Sequence, residues 1–435
     1  MLATPGTGLI GVIVLLVLLM AGTPVGVALG LVGIGGLAIA LGPEAALIKS
    51  GVIVFDTLTR YELGTLPLFL LIAHLTLSAN ASRDFFDAAA RFVGHRRGGL
   101  AIASVGGCAG FSAINGSSLA TAATIGLVAL PEMRKRGYSD ALATGAVAAG
   151  GTLGPMIPPS AALIVFGIIA QQSIGTLFTA AIVPGITQML LYFAVVWIMV
   201  RLRPSIAPPM ERANWAERLA ALKRIGDVGL LVVVMIGGIV VGWFSPSEAA
   251  SVGVVGVLAI CVIRKRLGWA MMRQALEETL STSGLIFVII IGALIFAVFM
   301  SVTGVATSIG TLIADMETGR LVTLLVITVF LLLLGSVLDG LALMLLTTPI
   351  LLPIITGLGM SPIWFGIFLV RAMEIGFIHP PIGMNLYVIH RIAKDVPLSR
   401  IFKGVLPFLT ADLVHVLLII LFPALVLALP HWMGQ

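Results

Sequence analysis

The sequence predicts an all-α polytopic membrane protein made of two inverted repeats, each with a re-entrant hairpin and a discontinuous helix. Three observations predict it. Apolar runs of roughly 17–25 residues recur in a chain of 435 residues that is 59% hydrophobic and 10% charged, with a mean hydropathy of +1.15. Basic clusters punctuate those runs at intervals. The Gly/Pro-interrupted stretch "GGTLGPMIPPSAAL" at 150–163 has a counterpart in the second half. The runs are continuous and do not alternate, which excludes a β-barrel.

The formal charge of +6 is a topology signal and not a nucleic-acid signal, because Lys and Arg gather in short loops. Cys108 and Cys261 are isolated thiols with neither metal-ligand nor disulfide spacing. The N-terminal "MLATPGTGLIGVIVLLVLLM" lacks a basic leader, so it reads as a retained helix and not as a cleaved signal.

Each element then follows in order. Residues 1–64 hold two scaffold helices, near 8–22 and 24–42, then an exposed stretch with Glu44, Lys49, Asp56, Arg60 and Glu62. The first repeat, 65–202, opens with a helix near 65–82. Arg83, Arg91, Arg96 and Arg97 precede the next apolar stretch, and Arg134, Lys135 and Arg136 follow it, which places both of its ends in the cytoplasm. Two crossings need about 40 apolar residues, more than 98–133 supplies, and "GFSAINGSS" occupies its middle. A re-entrant hairpin over 98–136 with its tip at 112–118 satisfies both constraints. Non-helical backbone at membrane depth persists only where protein shields it or water reaches it, so the tip marks a binding site. A broken helix at 140–173 and a helix near 176–200 complete the repeat. Residues 203–227 form a cytoplasmic amphipathic linker, and 228–267 a second scaffold pair with helices near 228–244 and 248–263. The second repeat, 268–403, has a surface segment at 268–282, a crossing helix at 284–303, a hairpin at 321–357 and a broken helix at 361–390. A terminal helix occupies 404–435.

A shift of 222 residues superposes the halves. Leu119, Ala120, Leu130, Pro131, Gly137, Ser139, Gly154, Pro158 and Pro159 fall on Leu341, Ala342, Leu352, Pro353, Gly359, Ser361, Gly376, Pro380 and Pro381. "LGPMIPPS" thus pairs with "IGFIHPPI", and the tip "AINGSSLA" with "GSVLDGLA". The second hairpin has few basic residues at its far end, which points to entry from the opposite side. Paired, Gly/Pro-interrupted segments in inverted repeats are the signature of a secondary transporter with its site near the midplane. Proline removes a backbone donor and disfavours helix at the residue before it. The freed carbonyls at half-helix C-termini suit a cation, and the half-helix N-termini suit an anion. Packing kinks are the plainer reading of each break taken singly.

At these positions the chain resembles the large membrane subunit of the tripartite ATP-independent periplasmic (TRAP) transporters. That family's "GGISGSAVADVA…P…KKRGY", "STLGPIIPPS" and "EIGLITPPVGLNL" correspond here to "GFSAINGSSLATAATIGLVALPEMRKRGY", "GTLGPMIPPS" and "MEIGFIHPPIGMNLYV". The resemblance spans nearly the whole chain. It implies an elevator-type importer of a small carboxylate in the cell inner membrane, driven by Na⁺. It also implies two partners, a small four-helix membrane subunit on a separate chain and a periplasmic substrate-binding protein. The hairpin–break arrangement is similar to that of divalent anion/sodium symporters, and a self-sufficient Na⁺/anion symporter is the alternative. A channel would need a continuous polar pore, and an enzyme a catalytic constellation; neither is present in the sequence.

Na⁺ prefers hard oxygen ligands. Ser112, Asn115, Ser117, Thr152 and Gly154 are therefore the expected first cation cage, and Gly335, Asp339, Gly376 and His379 the second. His379 stands where the family usually has Thr. Ser118, Thr121, Pro158, Ser160, Pro380 and Asn385 are the expected substrate contacts. Helix capping competes for the Ser, Asn and Asp residues. Asp339, a carboxylate at a hairpin tip, is expected to lie at membrane depth. Glu374, in register with Thr152 beside the second break, is expected either to pair with Arg371 three residues earlier or to serve the site, and Phe287, Phe296 and Phe299 are expected to make packing or lipid contacts.

Overall fold

A computed structural model describes residues 3–78, 81–315, 319–336 and 338–434. Helices carry almost all of them, with no β-strand among the described residues. This follows from the solvent: in hydrocarbon each segment must satisfy its own backbone groups, and a helix does so locally. Six of the described helices are long and apolar enough to cross a membrane.

The first scaffold unit comprises α1 (Pro5–Met20), α2 (Val25–Leu41) and α3 (Pro43–Thr59). Next come α4 (Thr65–Ser78) and α5 (Ala81–Val93). The stretch expected to be merely exposed is thus the helix α3, which begins at Gly42 with Pro43 in its first turn and Glu44 at its positive end. Residues 79 and 80 of the expected 65–82 helix lie outside the described residues. The basic segment beyond it folds as the amphipathic α5, which buries Phe86, Ala88 and Ala90.

The hairpin over 98–136 is α6 (Gly99–Asn115) and α7 (Ser118–Lys135), joined by a two-residue turn. The interrupted helix is α8 (Asp140–Gly151) and α9 (Ala161–Ala170), followed by α10 (Ile174–Leu202). The expected linker is shorter than its 203–227 span. Helix α11 (Trp215–Val241) starts inside it, where Asn214 and Glu217 form a capping box, and runs on without a break into the apolar scaffold. Helix α12 (Pro246–Ile263) opens on a second capping box, Ser245 with Glu248.

In the second half, α13 (Trp269–Thr303) is one continuous helix of 35 residues, about 52 Å long. The expected division into a surface segment and a crossing helix is absent: Gly284, at the expected junction, stays inside the helix, where a single glycine costs only about 1 kcal/mol. Helix α14 (Val305–Asp315) leads to the second hairpin, α15 (Gly319–Gly335) and α16 (Gly340–Gly357). The second interrupted helix is α17 (Pro362–Ile378) and α18 (Met384–Ile392). The expected single terminal helix is two, α19 (Leu398–Leu421) and α20 (Ala424–Trp432), with Pro423 between them.

Helix α8 lies at the centre, packed by α6, α7 and α19, while α17 packs against α10, α15 and α16. In the scaffold α2 runs along α13. A Cβ at Gly26 or Gly33 would come within 2.8 Å of α13 backbone. These glycines are thus spent on contact within the chain. Phe296 and Phe299 are buried, and Phe299 abuts Gly11 and Gly36. Cys108 and Cys261 are free and buried.

Candidate functional site

The first hairpin tip is lodged in the first break. Helix α6 ends when Gly116 takes a left-handed conformation (φ 60°) and its N–H bonds the Ser112 carbonyl at 2.9 Å. Ser117 then caps α7, its hydroxyl accepting the Ala120 N–H at 3.4 Å. The tip is held on two sides. A Cβ on Gly116 would lie 2.6 Å from the Pro159 carbonyl oxygen, and one on Gly154 would lie 2.8 Å from the Ser117 carbonyl carbon. No side chain fits either gap, so backbone meets backbone.

The break itself, 152–160, turns through short-range hydrogen bonds ending at Leu153, which accepts from both Met156 and Ile157. Beyond that point the chain has Pro158–Pro159, joined by a cis peptide bond, and Ser160 caps α9 through the Leu163 N–H at 3.3 Å. The Gly154 and Pro158 carbonyls receive no hydrogen bond among the described residues. Ser112 Oγ is likewise buried without a partner. Two freed carbonyls, an orphaned hydroxyl and a glycine cradle fit a small hard cation. The C-terminal ends of α6 and α8 converge here and add negative potential, while the N-termini of α7 and α9 offer N–H groups suited to an anion.

Thr152 is committed elsewhere. Its hydroxyl donates to the Ala149 carbonyl at 2.7 Å, accepts from Gln188 at 3.1 Å and pairs with the Tyr192 hydroxyl at 2.8 Å. Those contacts use the full capacity of a hydroxyl, so the Thr152 side chain anchors the break on α10, and only its backbone carbonyl is left to offer a cation. Asn115 reaches Thr121 Oγ1 at 3.4 Å and the Ser117 carbonyl at 3.5 Å, which braces the tip from inside.

The second tip meets its break differently. A Cβ on Gly376 would sit 2.5 Å from the Gly335 carbonyl oxygen. Pro380–Pro381 is again a cis bond, and His379 caps α17 with its Nδ1 buried and unpartnered. Asp339 is exposed and caps α16 through the Leu341 N–H at 3.1 Å. The capping contact that competes with cation binding at Asp339 is therefore formed. The glycine cradle is present at this junction too, and the buried side-chain atoms without a partner on the second broken helix are His379 Nδ1, Glu374 Oε1 and Asn385 Oδ1.

Between the junctions lies a contact that joins the halves. Ser118 Oγ donates to Glu374 Oε2 at 2.6 Å and accepts from Asn385 Nδ2 at 3.2 Å, while Asn385 also donates to the Ala148 carbonyl at 3.2 Å. Glu374 and Asn385 are fully buried. The first hairpin, the first broken helix and both halves of the second are thereby tied at one point. Of the two roles open to Glu374, the ion pair with Arg371 is not formed among the described residues. The Arg371 guanidinium pairs with Asp412 and donates through Nε to His415 Nδ1 at 3.1 Å. That bond leaves the proton of the neutral ring on Nε2, facing Thr187 Oγ1 at 2.9 Å. Asp412 and His415 were missed in the sequence. Their signal was a lone carboxylate and a His three residues later on one face of an apolar helix.

A helical membrane chain whose two hairpin tips abut two interrupted helices has the fold of a transporter. The solved Alcanivorax borkumensis YdaH transporter matches it with a TM-score of 0.63 at 14% identity, over 96% of this chain and 98% of that one, a likeness of fold. The family is more specific. The sequence profile described as "Tripartite ATP-independent periplasmic transporter, DctM component" matches residues 12–425, and the chain belongs to that family of multi-pass membrane proteins. A C4-dicarboxylate TRAP transporter large permease protein of Pseudomonas aeruginosa is 36% identical over 403 residues, covering 92% of this chain and 93% of that one. An isethionate TRAP transporter permease protein of Oleidesulfovibrio alaskensis is 32% identical over 408 residues, covering 94% of this chain and 64% of that one.

Proposed function

We propose that this chain is the large permease of a Na⁺-coupled tripartite importer in the cell inner membrane. It takes a small carboxylate, or a comparable small organic anion, from a periplasmic binding protein. A small four-helix membrane subunit docks on its scaffold. The observation that carries the reading is the lodging of each hairpin tip against an interrupted helix, in a chain that matches the family from 12 to 425. Such junctions offer carbonyls to a cation and helix N-termini to an anion within a few ångströms, the arrangement that couples their transport. The two halves act as inverted repeats. The hairpins and broken helices, tied through Ser118, Glu374 and Asn385, move as one elevator body against α2, α4 and α13.

The relatives' names support a small anionic substrate, a C4-dicarboxylate in one case and isethionate in the other. The part of the isethionate permease that this chain does not cover is consistent with a small subunit carried there on the same polypeptide. The test is uptake in proteoliposomes containing this chain and its small subunit, with loaded binding protein outside and an inward Na⁺ gradient. Uptake should vanish when Na⁺, the binding protein or the small subunit is withheld. Equal uptake of free substrate by this chain alone would overturn the tripartite reading and favour a self-sufficient symporter.

A further inference from the structure

At the end of the bundle that carries the basic clusters, the starts of α8 and α19 and the last turn of α10 enclose a groove of about 770 Å³. Its floor is apolar, with Met199, Ile206 and Pro407. Its rim carries Arg203, Arg400 and Lys403 against one carboxylate, Asp140. That carboxylate is already engaged, by Arg134 at 3.0 Å and by Arg400 at 3.4 Å. Arg203 and Lys403 are exposed, and neither has an ion pair or a side-chain hydrogen bond among the described residues. The rim therefore holds cationic charge that the protein itself does not neutralise.

Side chains beside the groove have the character of the membrane interface. Leu202, on its wall, is 76% exposed, and one turn before it Trp197 is exposed with the Arg201 guanidinium 5.5 Å from its ring centroid. An exposed Trp beside Arg at a helix end is the pattern of a side-chain belt at the lipid headgroups. Apolar floor and basic rim thus face the same boundary that a phospholipid spans.

We propose that this groove binds an anionic phospholipid of the adjacent leaflet. The phosphate lies among Arg203, Arg400 and Lys403, and the first acyl carbons lie on Met199, Ile206 and Pro407. A zwitterionic lipid brings an ammonium group to the same cations and binds less well. A free phosphate shares the headgroup chemistry but makes no use of the apolar floor.

The test is native mass spectrometry of the full chain, purified in detergent and titrated with phosphatidylglycerol or phosphatidylethanolamine. The wild type is expected to retain one phosphatidylglycerol in preference to phosphatidylethanolamine. Removing two surface cations in Arg203→Gln/Lys403→Gln is expected to weaken that binding about fivefold per charge, about thirtyfold for the pair. Lys223→Gln/Lys265→Gln removes the same charge from exposed positions that do not line the groove and is expected to leave it unchanged. Equal retention of the two lipids by the wild type overturns the proposal whatever the variants do. So does an equal loss in the control pair, which would mean diffuse attraction. Displacement of phosphatidylglycerol by millimolar inorganic phosphate overturns it as well, in favour of a site for a free anion.

Discussion

The substitution Gly154→Ala tests whether the lodging of tip in break is functional. A Cβ there would lie 2.8 Å from the carbonyl carbon of Ser117, 2.9 Å from the nitrogen of Ser118 and 3.0 Å from the carbonyl oxygen of Ser117. All three are backbone atoms, so no rotamer change relieves the clash. Ordinary contact begins near 3.4 Å, and the tip must retreat by about 0.6 Å. Overpacking of this kind costs about 1–3 kcal/mol. If Na⁺ bridges tip and break, the cost falls on the Na⁺-bound state. The Na⁺ concentration for half-maximal uptake then rises by about five- to 140-fold. Gly229→Ala is the control: nothing lies within 4 Å of its Cβ position, and alanine suits the interior of α11. The assay is a Na⁺ titration of uptake in proteoliposomes holding both membrane subunits, at saturating loaded binding protein, with melting temperatures measured alongside. A wild-type Na⁺ midpoint in Gly154→Ala refutes the reasoning and leaves the junction as packing alone.

Four further outcomes follow from the same structure. Arg371→Met strands the buried Asp412 and should lower stability by about 3–5 kcal/mol, whereas Arg371→Met/Asp412→Leu should recover most of it; thermal melting of the purified protein decides. Asp339→Asn keeps an equally good helix cap, so its melting temperature should stay put, and a raised Na⁺ midpoint would then report the lost charge alone. Cysteines placed singly at Arg97 and Lys135, in a background lacking Cys108 and Cys261, should both resist an impermeant thiol reagent outside sealed cells; labelling of either one rejects the re-entrant hairpin. The Arg134 guanidinium holds the Asp395 carboxyl below its ordinary value of 3.8, so the pair contributes stability above about pH 4 and loses it as pH falls through the lowered value. Melting of wild type and Asp395→Asn should therefore differ at neutral pH and converge in acid.

The sequence by itself determined the membrane class, both hairpins and both breaks. The reason is the solvent. In hydrocarbon a backbone is either helical or interrupted at a chemically visible place, and Pro158–Pro159, Pro380–Pro381 and the tip at Gly116 are such places. The helical state of α3 and α5 was harder to read, since charges at short intervals look alike on an exposed helix and in a loop. The continuity of α13 was not legible, since Gly284 stands at the expected junction and yet stays helical. Partner choice was decided by tertiary structure alone. Glu374 and Arg371 stand three residues apart on one helix, yet Glu374 meets Ser118 from a hairpin 256 residues away, and Arg371 meets Asp412 on α19. Local periodicity says which residues share a face. Which neighbour that face meets depends on how helices distant in sequence rotate and cross, and the close approach of Gly145 to the Gly404 carbonyl brings α19 against α8 in that arrangement. The same packing leaves Asp339 outside as a cap and engages all of the Thr152 hydroxyl, because a short polar side chain bonds whichever group the fold brings within about 3 Å.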